Sequence, residues 1–214
     1  MRKRIVIVDD HPVVRAGLRK FIEQEKGLSI CAEADSAQAG FKAVSEQNPD
    51  LVIIDIALKE GSGLDLIKSL RTRWPDIRIL VISLHEESIY AERCIRAGAR
   101  GYVMKSELAD KLLDAIRDVM AGKISASEII MERLTQFSTP HAGASAGEQA
   151  AQLSDRELEV FQLLGTGRSV HEIAGKLNIS KSTVETHRAN IKTKLGIATA
   201  QELIARAATF SSQP

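Results

Sequence analysis

Short apolar runs alternate along residues 1–122 with stretches whose apolar residues recur every three or four positions. "RIVIV" (4–8) precedes a helical pattern over 13–25, and "LSICAEA" (28–34) precedes one over 37–47. "LVIID" (51–55) leads into 63–73, "IRILVIS" (77–83) into 87–97, and "GYVM" (101–104) into 107–121. Continuous apolar strands are buried on both faces, and strands separated by helices run parallel. The pattern predicts an α/β fold, a doubly wound five-stranded parallel sheet of the flavodoxin-like kind. Ligands of such sheets sit beyond the carboxyl ends of the strands.

Past residue 122 the pattern changes. Residues 125–137, "SASEIIMERLTQF", predict one more helix, with Ile129, Ile130, Leu134 and Phe137 at helical spacing. The small, polar, aperiodic stretch over 138–152 reads as an exposed, flexible linker. From Leu153 every periodic segment is helical: "SDRELEVFQLLGTG", "SVHEIAGKLNI", "SKSTVETHRANIKTKLG" and "TAQELIARAATF". Ser154 and Glu157 fit a capping box, and Gly165 or Gly167 closes that first helix. The expected organisation is an α/β domain over 1–122, a helix and linker over 123–152, and a small all-α domain over 153–210.

Composition changes this picture little. The chain has 214 residues, with 29 basic against 28 acidic side chains, so any nucleic-acid surface must be local. Cys31 and Cys94 lie far apart without a CxxC pairing and read as small apolar residues in a reducing compartment. The apolar run of "MRKRIVIV" stops at Asp9, too short for a signal peptide or a membrane span, so a cytoplasmic location without membrane contact is expected.

The polar residues at the strand ends carry the candidate chemistry. Asp9 and Asp10 follow the first strand, Asp55 the third, Ser83 the fourth and Lys105 the fifth. Adjacent carboxylates repel unless a cation or hydrogen-bond donors hold them. Three carboxylates at one sheet edge suit Mg²⁺, which prefers a few carboxylate ligands and keeps several waters. A lysine and a hydroxyl beside them would neutralise and hydrogen-bond an incoming phosphoryl group. Taken singly, each residue has a plainer reading: a strand-end Asp is often a helix cap, a lone Lys a solvated side chain, and Tyr102 a core residue.

As a set, these residues resemble the receiver domain of two-component response regulators. The resemblance implies that Asp55 accepts a phosphoryl group from a sensor histidine kinase. It implies that Asp10 and Asp55 bind Mg²⁺ directly, with the backbone carbonyl of Ala57, while Asp9 acts largely through water. Ser83 and Tyr102 would be the switch pair, and Lys105 would contact the phosphoryl oxygens. Two features depart from the common receiver pattern: "IALKEGSGLDL" lacks the proline often found after the acceptor, and Leu84 stands where many receivers carry a smaller residue. Leu84, Ala57 and His85 are expected to set the lifetime of the phosphoryl group.

In the C-terminal segment, stepping about 100° per residue from Val184 places Ile191 and Leu195 on one narrow stripe. The opposite face carries Ser182, Glu185, Thr186, Ala189 and Thr193, flanked by Lys181 and Lys192 on one side and by Thr183 and Asn190 on the other. Short or polar side chains suit entry into a DNA major groove, and the flanks suit phosphates. His187 and Arg188 fall nearer the packed side. "LSDRELEVFQLL", "EIAGKLNIS" and "STVETHRANIKTKLG" resemble the LuxR-type helix-turn-helix, and a receiver before it resembles the NarL/FixJ class. That resemblance implies a phosphorylation-controlled transcription regulator that binds double-stranded DNA as a homodimer, involving the last helix, and performs no catalysis beyond its own phosphoryl transfer and hydrolysis. Lys181, Ser182, Thr183, Glu185, Thr186, Ala189 and Lys192 are the expected DNA contacts.

Two rivals belong to other classes. A Mg²⁺-dependent phosphohydrolase with an aspartyl nucleophile would fit the sheet and the cluster, but the first strand lacks a DxD arrangement and no substrate cap is evident. A regulator working without phosphorylation is opposed by the presence of every cluster residue.

Overall fold

The computed structural model describes residues 2–58, 60–84, 87–135 and 152–211, omitting the side chains of 133 and 135. Two compact units divide at Phe137 and Ser138. The predicted linker apart from Gln152, together with Phe137 and His85, lies outside the described residues.

The first unit runs β1 (Lys3–Val8), α1 (Pro12–Gln24), β2 (Leu28–Ala34), α2 (Ala37–Gln47), β3 (Leu51–Asp55), α3 (Gly63–Arg73), β4 (Arg78–Ser83), α4 (Glu87–Ala97), β5 (Gly101–Met104), a 3-10 turn (Lys105–Glu107), α5 (Leu108–Met120) and α6 (Glu128–Thr135). The sheet is wholly parallel in the order β2-β1-β3-β4-β5. Alternation along the strands splits the core in two. Ile5, Ile7, Leu51, Ile53, Leu80 and Ile82 pack with Leu18 and Ile22 of α1 and Leu112, Ile116 and Val119 of α5. Val8 turns the other way, towards Gly40 of α2, where a Cβ would lie 2.8 Å from a Val8 methyl. That is why every residue of β3 is buried, as continuous apolar composition demands.

The loops are short and locally specified. Pro12 opens α1, where its missing N–H costs nothing. The hydroxyls of Ser36 and Ser62 cap α2 and α3 by accepting from the N–H groups of Ala39 and Asp65, each at 3.3 Å. Asn48 ends α2 in the left-handed conformation, φ 45°.

The last helix of this unit differs from expectation. It begins at Glu128, because Ser125 is held in extended conformation as a parallel bridge to Gly101 of β5. Ile130 is 1% exposed, while Ile129, expected on the same stripe, is 62% exposed. Adjacent helical residues point about 100° apart, so only one of the pair reaches the core. α6 packs on α4, and the first compact unit therefore takes in a helix that periodicity alone had grouped with the linker.

The second unit contains α7 (Asp155–Gly165), α8 (Val170–Leu177), α9 (Lys181–Leu195) and α10 (Ala200–Ser211). Leu158, Phe161, Leu164, Ile173, Leu177, Val184, Ile191, Leu203 and Phe210 are buried, and the rings of Phe161 and Phe210 meet at 5.5 Å, tilted by 50°. Ser154 and Glu157 form the expected capping box, and Ser169 and Glu172 form a second one at the start of α8. Gly167, with φ 77°, supplies the left-handed turn after α7. Gly165 serves another purpose: a Cβ there would lie 2.2 Å from the Ala207 carbonyl oxygen, so its absence lets α10 close on α7.

Candidate functional site

Strand register assembles the acidic pocket. β1 and β3 are neighbours with Val8 opposite Ile54, so the next residues, Asp9 and Asp55, emerge side by side at the carboxyl edge. Asp9, Asp10 and Asp55 are all buried, and one ligand atom from each, together with an imidazole nitrogen of His11, lies within 4.8 Å of the others. Lys105, directly after β5, reaches across with its Nζ 2.7 Å from Asp9 Oδ2 and 2.6 Å from Asp55 Oδ2. The N–H of Ala57 donates to Asp55 Oδ1 at 3.0 Å. The turn behind is tight: a Cβ on Gly63 would lie 2.3 Å from the Asp55 carbonyl oxygen, so glycine permits α3 to start against the end of β3.

The charges are strongly coupled. Burial pushes the Asp55 carboxyl up from its ordinary value, with the Lys105 ammonium and the Ala57 N–H opposing. Burial would lower Lys105, but the charges of Asp55 and Asp9 outweigh it and hold its pKa up. Next door, the Tyr102 hydroxyl is buried and hydrogen-bonded to the Ser83 side chain, and burial raises the phenol.

His11 joins this group without having been singled out in the sequence. Its N–H donates to Asp9 Oδ1 at 2.7 Å, and its Nδ1 lies 2.8 Å from Asp10 Oδ1 and 3.3 Å from Asp9 Oδ1. The only sequence signal was its place directly after the acidic pair. Buried carboxylate oxygens converging in this way fit a hard divalent cation, which would compensate charge that Lys105 alone does not balance. Leu84 is 66% exposed beside Ser83, outside the core.

In the second unit, α9 begins at the Ser180 cap, whose Oγ accepts from the Thr183 N–H at 3.0 Å. Lys181, Ser182, Glu185, Thr186, Ala189, Asn190 and Thr193 are exposed, Thr183 and Lys192 half-buried, and Val184 and Ile191 buried. The faces thus divide as the helical wheel predicts, although Leu195 is only half-buried. The Arg188 side chain is 17% exposed, and its Nη1 lies 2.7 Å from Glu185 Oε1. The back of the helix is anchored by Lys194 Nζ, 2.6 Å from Glu157 Oε2, and by Arg206 Nη1, which donates to the Leu195 carbonyl at 3.3 Å. α9 is therefore a firmly held rod with a polar outer face.

Residues 5–117 match the response regulator receiver domain family, and residues 151–207 match the luxR family of bacterial regulatory proteins. The chain is a response regulator with a LuxR-type DNA-binding domain. This response regulator is 34% identical over 205 residues to the transcriptional regulatory protein MctR of Rhizobium johnstonii, covering 94% of this chain and 91% of MctR. It is 32% identical over 208 residues to the oxygen regulatory protein NreC of Staphylococcus epidermidis, covering 94% of each. RcsB of Salmonella enterica, solved bound to promoter rprA in the presence of phosphomimetic BeF3-, matches with a TM-score of 0.73 and 25% identity over 97% of this chain and 99% of that one. The response regulator's acidic cluster lies within the receiver match, and α9 lies within the luxR match. Among its described residues, no helix is long and apolar enough to cross a membrane.

Proposed function

We propose that Asp55 accepts a phosphoryl group from a sensor histidine kinase in a Mg²⁺-dependent reaction, and that this modification controls DNA binding through α9. The observation carrying the reading is the convergence of Asp9, Asp10, Asp55 and Lys105 at one sheet edge in a chain of the receiver family. An Asp55 carboxylate oxygen attacks phosphorus, an O–P bond forms as the donor's N–P bond breaks, and the donor imidazole leaves. Asp10, Asp55 and the Ala57 carbonyl would hold Mg²⁺, with Asp9 supporting through water, and the bound ion would supply charge neutralisation. Lys105 already ion-pairs with Asp55 and is placed to shift onto a phosphoryl oxygen. The Ser83 hydroxyl is placed to donate to another. The product is an acyl phosphate, hence reactive towards water, so the signal is transient. Chemistry ends with the chain's own aspartate: the protein is a phosphoacceptor and not an enzyme acting on outside substrates.

The exposed face of α9 enters the major groove, with Lys181 and Lys192 on phosphates and Ser182, Thr183, Glu185, Thr186 and Ala189 at or beside base edges. A second copy of the chain, paired through α10, supplies the second half-site reader. The test is DNA binding to a genomic fragment library at fixed salt, with and without acetyl phosphate and Mg²⁺, for the wild type and Asp55→Asn. Donor-dependent tightening in the wild type alone is expected. Wild-type protein that gains no phosphoryl mass, or a variant that tightens equally, would overturn the reading.

A further inference from the structure

The chain leaving α5 does not run free of the sheet. The Ser125 N–H donates to the Arg100 carbonyl at 2.9 Å, and the Tyr102 N–H donates to the Ser125 carbonyl at 2.9 Å. Gly101 permits this approach, since a Cβ there would lie 3.1 Å from the Ser125 Cβ and 2.8 Å from a Leu80 methyl. Two residues on, the Ser127 N–H donates to Glu87 Oε1 at 2.8 Å. α6 starts at once, with the Met131 N–H bonded to the Ser127 carbonyl at 3.0 Å and Ile130 buried.

Both anchors belong to the elements beside the acidic pocket. Tyr102 is hydrogen-bonded through its hydroxyl to Ser83, and Glu87 opens α4, a few residues after Ser83. The segment is thus held by Tyr102, the hydrogen-bond partner of Ser83, and by Glu87, four positions after Ser83 in the chain. The backbone pair to β5 is the stronger clamp, because it completes the outer edge of a sheet. The single bond from Glu87 is the weaker one, and it fixes the start of α6.

We propose that residues 124–127 and α6 form a latch: Glu87 holds Ser127 while Ser83 is engaged with Tyr102, and releases it when Ser83 turns to a phosphoryl group on Asp55. The latch rests on the phosphorylation of Asp55 proposed above. Its output is the freedom of α6, the last described helix before the DNA-binding unit.

Amide hydrogen exchange of the full chain tests this, with intact mass measured in parallel. With acetyl phosphate and Mg²⁺, the Ser127 and Met131 amides are expected to exchange about fivefold or more faster, while β1 and β3 keep their protection. Glu87→Ala should exchange fast at Ser127 without any donor and gain nothing further from it. Glu87→Gln, which keeps an acceptor oxygen, should stay near the wild type. Unchanged exchange over 125–131 in protein carrying the phosphoryl group overturns the latch and leaves the proposed function standing, as does a Glu87→Ala variant with wild-type exchange. Failure of the wild type to gain phosphoryl mass overturns both.

Discussion

Among the described residues, Lys105 is the cation that bridges Asp9 and Asp55, and its side chain is 5% exposed. Removing it leaves buried like charges facing each other, so Lys105→Met should cost about 3–5 kcal/mol of stability at neutral pH. Mg²⁺ should restore more of that loss in the variant than it adds to the wild type; urea unfolding with and without the ion measures both. Leu84 follows Ser83 in the chain at 66% exposure and so adds little to the core, and the proposed role for it is to hinder water at the phosphoryl group. Leu84→Ala should shorten the lifetime of phosphorylated Asp55 severalfold with little change in stability; an unchanged dephosphorylation half-life would remove that role. At this scale the sequence was informative wherever a polar residue followed a strand, because an apolar run fixes where a side chain must emerge. It was uninformative for His11, which occupies the residue before α1 and whose contact with Asp10 depends on how the chain turns. Glu87 was equally hidden, since its partner is a backbone N–H forty positions away.

The elements of the DNA-binding unit are joined by a few polar clamps. Glu157 Oε2 accepts from the Ser154 N–H at 2.7 Å and pairs with Lys194 at 2.6 Å, so the cap of α7 also steadies α9. Burial raises the Glu157 carboxyl, but Lys194 and Ser154 outweigh it and the net pKa is lowered. A depressed folded value means the stabilisation is fully present above the unfolded value of about 4.3 and fades as pH falls through the folded one. Glu157→Gln should therefore unfold about 1–2 kcal/mol more easily at pH 7, with the gap from wild type narrowing below about pH 4. A pH series of thermal melts gives the answer. Helices α2, α3 and α4 begin and end where their periodicity does, because serine caps or charged first turns coincide with the pattern. α6 escapes this logic: a backbone bridge to β5 sets its start, and periodicity carries no information about bridges.

For the whole molecule, two families in tandem were legible because each carries a dense local motif. Among the described residues, Ser125 joins the first unit through main-chain bonds, Ser127 through the Glu87 side chain and Ile130 through burial, a connection that periodicity does not reveal. The overall charge is nearly balanced, so DNA binding through α9, as proposed, requires a local surface to supply the attraction. Lys192→Ala should weaken binding to all sequences and lower the salt slope by about one counterion. Glu185, 56% exposed on its side chain, is the acidic residue on that face. Glu185→Ala should instead shift base preference at one position, and binding-site selection at fixed salt separates the two effects.

The in-register pairing of β1 with β3 has an evolutionary corollary. Loops around the sheet can lengthen or shorten and still deliver the same three carboxylates to one rim. A single-residue insertion within 51–54 would instead turn Asp55 to the opposite side of the pleat, where aliphatic side chains wait. Lineages of this protein should therefore tolerate gaps at every turn and almost none inside these two strands.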